Sequence, residues 1–272
     1  MQLKKSKKGK IKLKNYMKLG HNILKNKNVV SSRNGEIYAN YGESLKFDLK
    51  KGFPLLTNKY INFDHILHET IWYLKGTDKI TYLKENNIHI WNLWADDNDS
   101  IGPTYGVQWR NFNGIDQVKQ VVEDLKTNKY SRRIIINGWN VNQLDEMALP
   151  PCLVLLQFNV DKNNKLHTVV YQRSGDFAIG VPYDIAEMAL LTHILANICD
   201  LKLGELTMQY GNIHLYMEHV DVFKKIQSKN KMYKLPKLVI KKKLKNIDNI
   251  NASDIVLKNY KHAPHIRYKI KE

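Results

Sequence analysis

Cys152 is the residue of this sequence best placed to do covalent chemistry. It directly follows Pro150 and Pro151. Each proline fixes its own φ, and the second restricts the residue before it, so the cysteine sits on a backbone with little freedom. Gln157-Phe158-Asn159-Val160 then reads as a strand, Asp161-Lys162-Asn163-Asn164 as a turn, and His167-Thr168-Val169-Val170-Tyr171 as the returning strand. Such a hairpin carries Gln172-Arg173-Ser174-Gly175-Asp176 back towards Cys152. An arginine beside a thiol lowers its pKa, and the thiolate is the nucleophilic form. The plain alternative is a buried, inert cysteine, and spacing alone leaves both open.

Other candidates need elements to position them. Phe63, Ile66, Leu67, Thr70, Ile71 and Leu74 recur at helical spacing and predict an amphipathic helix. Glu69 falls off that stripe, beside Trp72 and Tyr73. Aromatic surroundings favour a raised carboxyl pKa, which suits proton transfer near neutrality. Arg132 and Arg133 precede the β-prone run Ile134-Ile135-Ile136, and a guanidinium pairs with phosphate bidentately. Residues 184–201 are apolar nearly all round and predict a buried central helix. Asp184 and Glu187 then have capping-box spacing at its start. Residues 16–25 predict a short helix, Ser31-Ser32-Arg33-Asn34-Gly35 a turn, residues 37–41 a strand, and residues 115–127 a further helix.

Composition narrows the class. A chain of 272 residues can bury a substantial core without disulfides. Its two cysteines, Cys152 and Cys199, are too few for a secreted disulfide framework and point to the reducing cytoplasm. No run is long and apolar enough to span a membrane, and the lysine-rich start lacks the apolar core of a signal peptide. No paired Cys/His pattern points to a metal. The net charge of +17 points to anionic partners, although much of it lies near the chain ends, in residues 4–18 and 237–245. Residues 1–14 read as a basic extension and 15–272 as one catalytic domain.

Pro151-Cys152, the run from Gln172 to Asp176 and Gly180-Val181-Pro182-Tyr183-Asp184-Ile185-Ala186 resemble the active-site core of the thymidylate synthase family. That family includes the pyrimidine nucleotide hydroxymethylases, and the deoxycytidylate hydroxymethylases are the branch this sequence resembles most. The likeness runs from about Arg33 to Ile270. It implies an α+β fold in which helices pack a large mixed sheet, with the sheet face forming the interface of a homodimer. It also implies 5,10-methylenetetrahydrofolate as co-substrate and a pyrimidine nucleoside monophosphate as substrate. By the same resemblance Cys152 is the nucleophile, Glu69 organises water and moves protons, and Tyr105 assists proton removal at C5. Arg33, Arg132, Arg133 and Arg173 form a phosphate clamp, with Arg132 and Arg133 reaching across the dimer into the neighbouring site. Gln172, Ser174 and Asp176 contact the substrate, His214 and Tyr216 hold the sugar hydroxyl, and Trp91, Trp94 and Asp176 meet the folate. Residues 262–270 resemble the segment that closes over the ligands. The sequence departs from the family after Arg33, where Asn34-Gly35-Glu36 replaces a threonine-rich run, and at Asn212, where aspartate is usual.

The implied chemistry begins with addition of the Cys152 thiolate to C6, which makes C5 nucleophilic enough to take the one-carbon unit. Hydride from the folate then gives a methyl group, or water gives a hydroxymethyl group. Asp184 bears on the base. The family's synthases carry asparagine here, which donates to uracil O4 and accepts from N3–H. A carboxyl accepts from the cytosine 4-amino group and, when protonated, donates to N3, so aspartate matches cytosine. Leu153, where the synthases usually have histidine, is a second departure. The expected reaction is dCMP to 5-hydroxymethyl-dCMP. The enzyme alternative is thymidylate synthase, dUMP to dTMP. An alternative of another class is a nucleic-acid-binding protein on an inactive scaffold, possible from the charge but not expected.

Overall fold

The computed structural model describes residues 13–270. Most of the basic extension read over residues 1–14 therefore lies outside the described residues, although Leu13 is already in the core and Lys14 opens the first helix. The chain runs α1 (Lys14–Asn26), β1 (Val29–Ser32), β2 (Gly35–Asp48), α2 (Phe63–Lys75), α3 (Thr81–Glu85), α4 (Gly106–Arg110), α5 (Gln117–Thr127), β3 (Ile135–Asn137), β4 (Leu153–Val160), β5 (Lys165–Asp176), α6 (Gly180–Ile198), β6 (Lys202–Tyr216), α7 (Met217–Lys225), β7 (Lys237–Ile240) and β8 (Ile255–Lys258). This is the expected α+β architecture. A six-stranded sheet has the order β1-β2-β6-β5-β4-β3, and β7 and β8 form a separate hairpin.

The sheet is mixed because β5 and β6 run parallel while the other neighbours are antiparallel. A parallel pair needs a crossover, and α6 supplies it. The strands alternate with period two. Leu166, Thr168, Val170 and Gln172 of β5 and Leu206, Met208 and Tyr210 of β6 are buried on the face that α6 covers. Leu155, Gln157, Val169, Tyr171, Thr207 and Gln209 alternate with buried neighbours and are half-buried or exposed.

Helix α6 is buried on nearly all sides, as its unbroken apolar composition predicts. Its start differs from the expectation. The helix begins at Gly180 after Ile179, so Asp184 and Glu187 lie inside it and cap nothing. Asp176 satisfies free amides there instead, its Oδ1 accepting from Ala178 N at 2.9 Å and Ile179 N at 3.2 Å. Helix α2 matches its predicted span but is buried more broadly than a single stripe, and Glu69 is inside with the apolar residues. The other expected elements stand where periodicity put them, β2 being much longer than the five residues expected.

Candidate active site

The Cys152 loop is held by its own backbone and by the end of β5. Arg173 N donates to Cys152 O at 2.9 Å, and in the β4–β5 ladder Leu153 pairs with Gln172. The Arg173 guanidinium donates to Pro151 O at 3.0 Å and Pro150 O at 2.7 Å, and lies over the Trp139 ring. Arginine thus fastens the proline turn that presents the cysteine. From the other side, Cys152 N donates to the Tyr105 hydroxyl at 3.1 Å. Tyr105 is positioned by close contact between α4 and α2. A Cβ on Gly106 would lie 2.4 Å from Tyr73 O, so only glycine lets the helices meet, and Tyr105 then stacks on Tyr73 at 5.1 Å.

Arg173 lowers the thiol pKa as expected, but its surroundings outweigh it and the net shift is upward. Burial pushes the Cys152 thiol up and the charge of Asp184 adds to this, while Arg173 and Tyr105 pull down less strongly. The resting thiol therefore holds its proton.

Three buried carboxyls, Glu69, Asp184 and Glu187, lie within electrostatic reach of one another, and Asp184 also acts on the thiol. Glu69 Oε1 accepts from Trp91 Nε1 at 2.7 Å and from the Tyr73 hydroxyl at 3.0 Å. Burial raises its pKa and these donors oppose the rise. Asp184 Oδ2 accepts from Gln172 Nε2 at 2.7 Å, and burial pushes its pKa up to about 7 against that bond, with Glu69 and Asp176 adding to the rise. Glu187, one turn further along α6, is buried against Glu69, and burial raises it further still. Gln172 Oε1 and the Tyr210 hydroxyl are also buried here, without a hydrogen-bond partner among the described residues. Such orphaned groups leave hydrogen-bonding capacity unspent beside Asp184.

His214 and Tyr216 lie near the end of β6, where His214 pairs with Asp176 in the parallel ladder. Asn212 Oδ1 lies 3.0 Å from His214 Nδ1, so the residue that replaces the usual aspartate orients the imidazole. Burial lowers the His214 pKa, keeping the ring neutral near pH 7. Ser174 pairs with Asn212 on the same ladder, and its carbonyl accepts from Gln172 Nε2 at 2.9 Å. Arg33 is exposed at the β1–β2 turn, and its charge and an Asn34 hydrogen bond both act on the Tyr216 hydroxyl.

Trp91 is buried with its indole N–H committed to Glu69, whereas Trp94 is half-buried and meets it edge-on at 5.5 Å. Arg132 and Arg133 stand apart. Both are exposed ahead of β3, and no hydrogen bond or ion pair among the described residues joins their side chains to the cluster. The segment at 262–270 packs back on the body. Ala263 N donates to Thr57 O, the Tyr268 hydroxyl donates to Gln227 Oε1, and Lys59 lies over the Tyr268 ring. Sequence reasoning missed Tyr73 as a ligand of Glu69 and took Glu187 for a cap. A second acid three residues after Asp184, inside an otherwise apolar helix, was the available signal.

The Cys152 turn, the stacked Tyr105 and the buried carboxyls are brought together on one mixed sheet. A family model described as thymidylate synthase matches residues 14–272, and the chain belongs to the thymidylate synthase family. It is similar to a thymidylate synthase of Wigglesworthia glossinidia brevipalpis, 44% identical over 265 residues, covering 95% of this chain and 99% of that protein. It is equally similar to a thymidylate synthase of Buchnera aphidicola subsp. Baizongia pistaciae, 44% identical over 264 residues, with the same coverage.

Proposed function

We propose that this chain transfers a one-carbon unit from 5,10-methylenetetrahydrofolate to C5 of a pyrimidine nucleoside monophosphate, with dCMP the preferred acceptor and 5-hydroxymethyl-dCMP the product. The observation that carries the choice of base is Asp184. It caps no helix, its charge acts on the Cys152 thiol, and its pKa of about 7 leaves it protonated in a large fraction of molecules near neutrality. A protonated carboxyl donates to cytosine N3 and accepts from the 4-amino group. Cytosine N3 is a real base and shares that proton well. Uracil O4 is a far weaker base, and an ionised Asp184 faces it with no donor.

Protonation also serves the nucleophile. A neutral Asp184 no longer opposes the Cys152 thiolate, so the proton needed at N3 is also the one whose presence eases ionisation of the thiol. Cys152 adds to C6, the Tyr105 hydroxyl lies beside it for the C5 proton, and Glu69 orders water at the ring. His214 and Tyr216 hold the sugar. The folate supplies the one-carbon unit, and Trp94, Trp91 and Asp176 are the residues that would hold it, a half-buried indole and a carboxylate suiting a flat ring with N–H donors. Arg33 and Arg173 form the near part of the phosphate clamp. Arg132 and Arg133 complete it across a homodimer built on the face that α6 leaves uncovered. Gln157 of that face donates to Arg132 O at 3.1 Å, which ties the arginine loop to it.

The second reading is thymidylate synthase, dUMP to dTMP, and the names of both relatives favour it. The two readings separate on one experiment. The protein is incubated with methylenetetrahydrofolate and dCMP, CMP or dUMP, and the nucleotide product is weighed by mass spectrometry. The expected result is a hydroxymethylated product with kcat/KM for dCMP above that for dUMP by orders of magnitude, because a mismatched base leaves buried polar groups unpaired. Asp184→Asn is expected to reverse or flatten the preference. Methylated dUMP formed by the wild type as readily as any dCMP product establishes the synthase reading.

A further inference from the structure

Glu187 has no part in the reaction proposed above, yet it is 2% exposed on the buried central helix. On α6 it is three residues beyond Asp184 and so shares its face. Its carboxyl lies within hydrogen-bonding reach of Glu69 on α2, the helix packed against α6. Two carboxyls can be joined only through a proton that one of them carries. The donors decide which. Glu69 already accepts from Trp91 and Tyr73, both of which favour its ionised form. No amide, hydroxyl or cation among the described residues donates to Glu187. The titratable groups that feel its charge are Glu69 and Tyr73 on α2 and Asp184 and Tyr183 on α6 itself, none of them cationic.

We propose that Glu187 is a positioning residue of the base pocket, donating a hydrogen bond from its protonated carboxyl to Glu69 and thereby fixing the Glu69 carboxylate against the reacting ring. Glu69 is then held by three donors, Trp91, Tyr73 and Glu187. The pair carries one proton and one negative charge. Burial and the neighbouring acids oppose a second ionisation, so the arrangement persists through neutral pH. The proposal rests on the pyrimidine reading for its consequence in catalysis, but not for the proton itself.

Two variants test it. Glu187→Gln keeps the shape and supplies an amide donor to Glu69, whereas Glu187→Leu keeps the bulk and supplies none. Tritium release from C5 is followed with labelled dCMP and labelled dUMP, so the result does not depend on which base is preferred. With Gln, release is expected to stay near the wild-type rate and to lose the alkaline limb that deprotonation of the pair produces. With Leu, kcat is expected to fall by about 10²-fold, the low end for a proton-transfer group, with little change in the nucleotide KM. Infrared spectra of the ligand-free protein at pH 9, above the Asp184 pKa, should show a protonated carboxylic-acid band that both variants lack. Wild-type kcat and pH profile in Glu187→Leu would overturn the proposal, as would a carboxylic-acid band unchanged in both variants. If the wild type releases tritium from neither nucleotide, the pyrimidine reading fails, and the infrared band still decides whether Glu187 holds the proton.

Discussion

Asp184 shows how far one side chain can be pulled from its ordinary chemistry and what that costs. Its carboxyl stands at about 7 in the fold against an ordinary value of 3.8. The folded state therefore binds this proton more tightly than the unfolded chain. Its contribution to stability is largest below about 4 and is lost as pH rises from there through 7. At pH 8 the ionised group is a liability on the order of 4 kcal/mol, since a tenfold change in proton affinity is worth about 1.4 kcal/mol. Asp184→Asn removes the titration and keeps the acceptor and a donor. The variant is expected to unfold at higher temperature than the wild type at pH 8, with the difference shrinking towards pH 4, measured by calorimetry across that range. Equal unfolding temperatures at both pH values would show that the carboxyl is ordinary. An active-site acid kept for function at the expense of stability is a common trade.

At the scale of elements, the site depends on the close approach of α2 and α4 more than on either helix alone. Tyr105 has φ 37°, a value rare outside glycine, immediately before Gly106. The backbone is bent there so that the tyrosine can stack on Tyr73 and accept from Cys152 N. Gly106→Ala would place a methyl group 2.4 Å from Tyr73 O. The backbone must shift to accommodate it, at a cost of about 1–3 kcal/mol. The variant is expected to lose that much stability in urea denaturation and to lose kcat more than nucleotide affinity, because Tyr105 moves while His214 and Tyr216 on β6 and Arg173 on β5 do not. A Gly106→Ala protein with wild-type stability and kcat would show that the contact is slack.

For the whole molecule, the uncovered sheet face and the isolated Arg132 and Arg133 belong to one question. Exposed arginines that meet no acid among the described residues of their own chain are expected to act in a neighbour's site if the protein is a two-fold dimer. Arg132→Ala and Cys152→Ser are each expected to be inactive or nearly so. Mixed and refolded together, they form hybrid dimers with one intact site, and part of the activity should return. Confirmed heterodimers with no activity would place the phosphate clamp within one chain. Among the described residues no helix is long and apolar enough to cross a membrane.

Much of this was legible along the chain, for reasons that are local. Proline before Cys152, the period of α2 and the apolar run of α6 depend on residues close in sequence, and they mark the candidate nucleophile, the helix carrying Glu69 and the central helix. The family likeness followed from the same stretches. Three features depended on groups far apart in the chain. The register of β5 against β4 and β6 joins Gln172 to Leu153 and to Tyr210. The true start of α6, set by Asp176 rather than by Asp184, turned an apparent cap into a pocket acid. The direction of the Cys152 shift was decided by desolvation and by Asp184, which outweigh the nearby Arg173. Charge and burial act through space and not along the chain, so the balance among Cys152, Asp184, Glu69 and Glu187 exists only once α2, α6 and the sheet have closed around them.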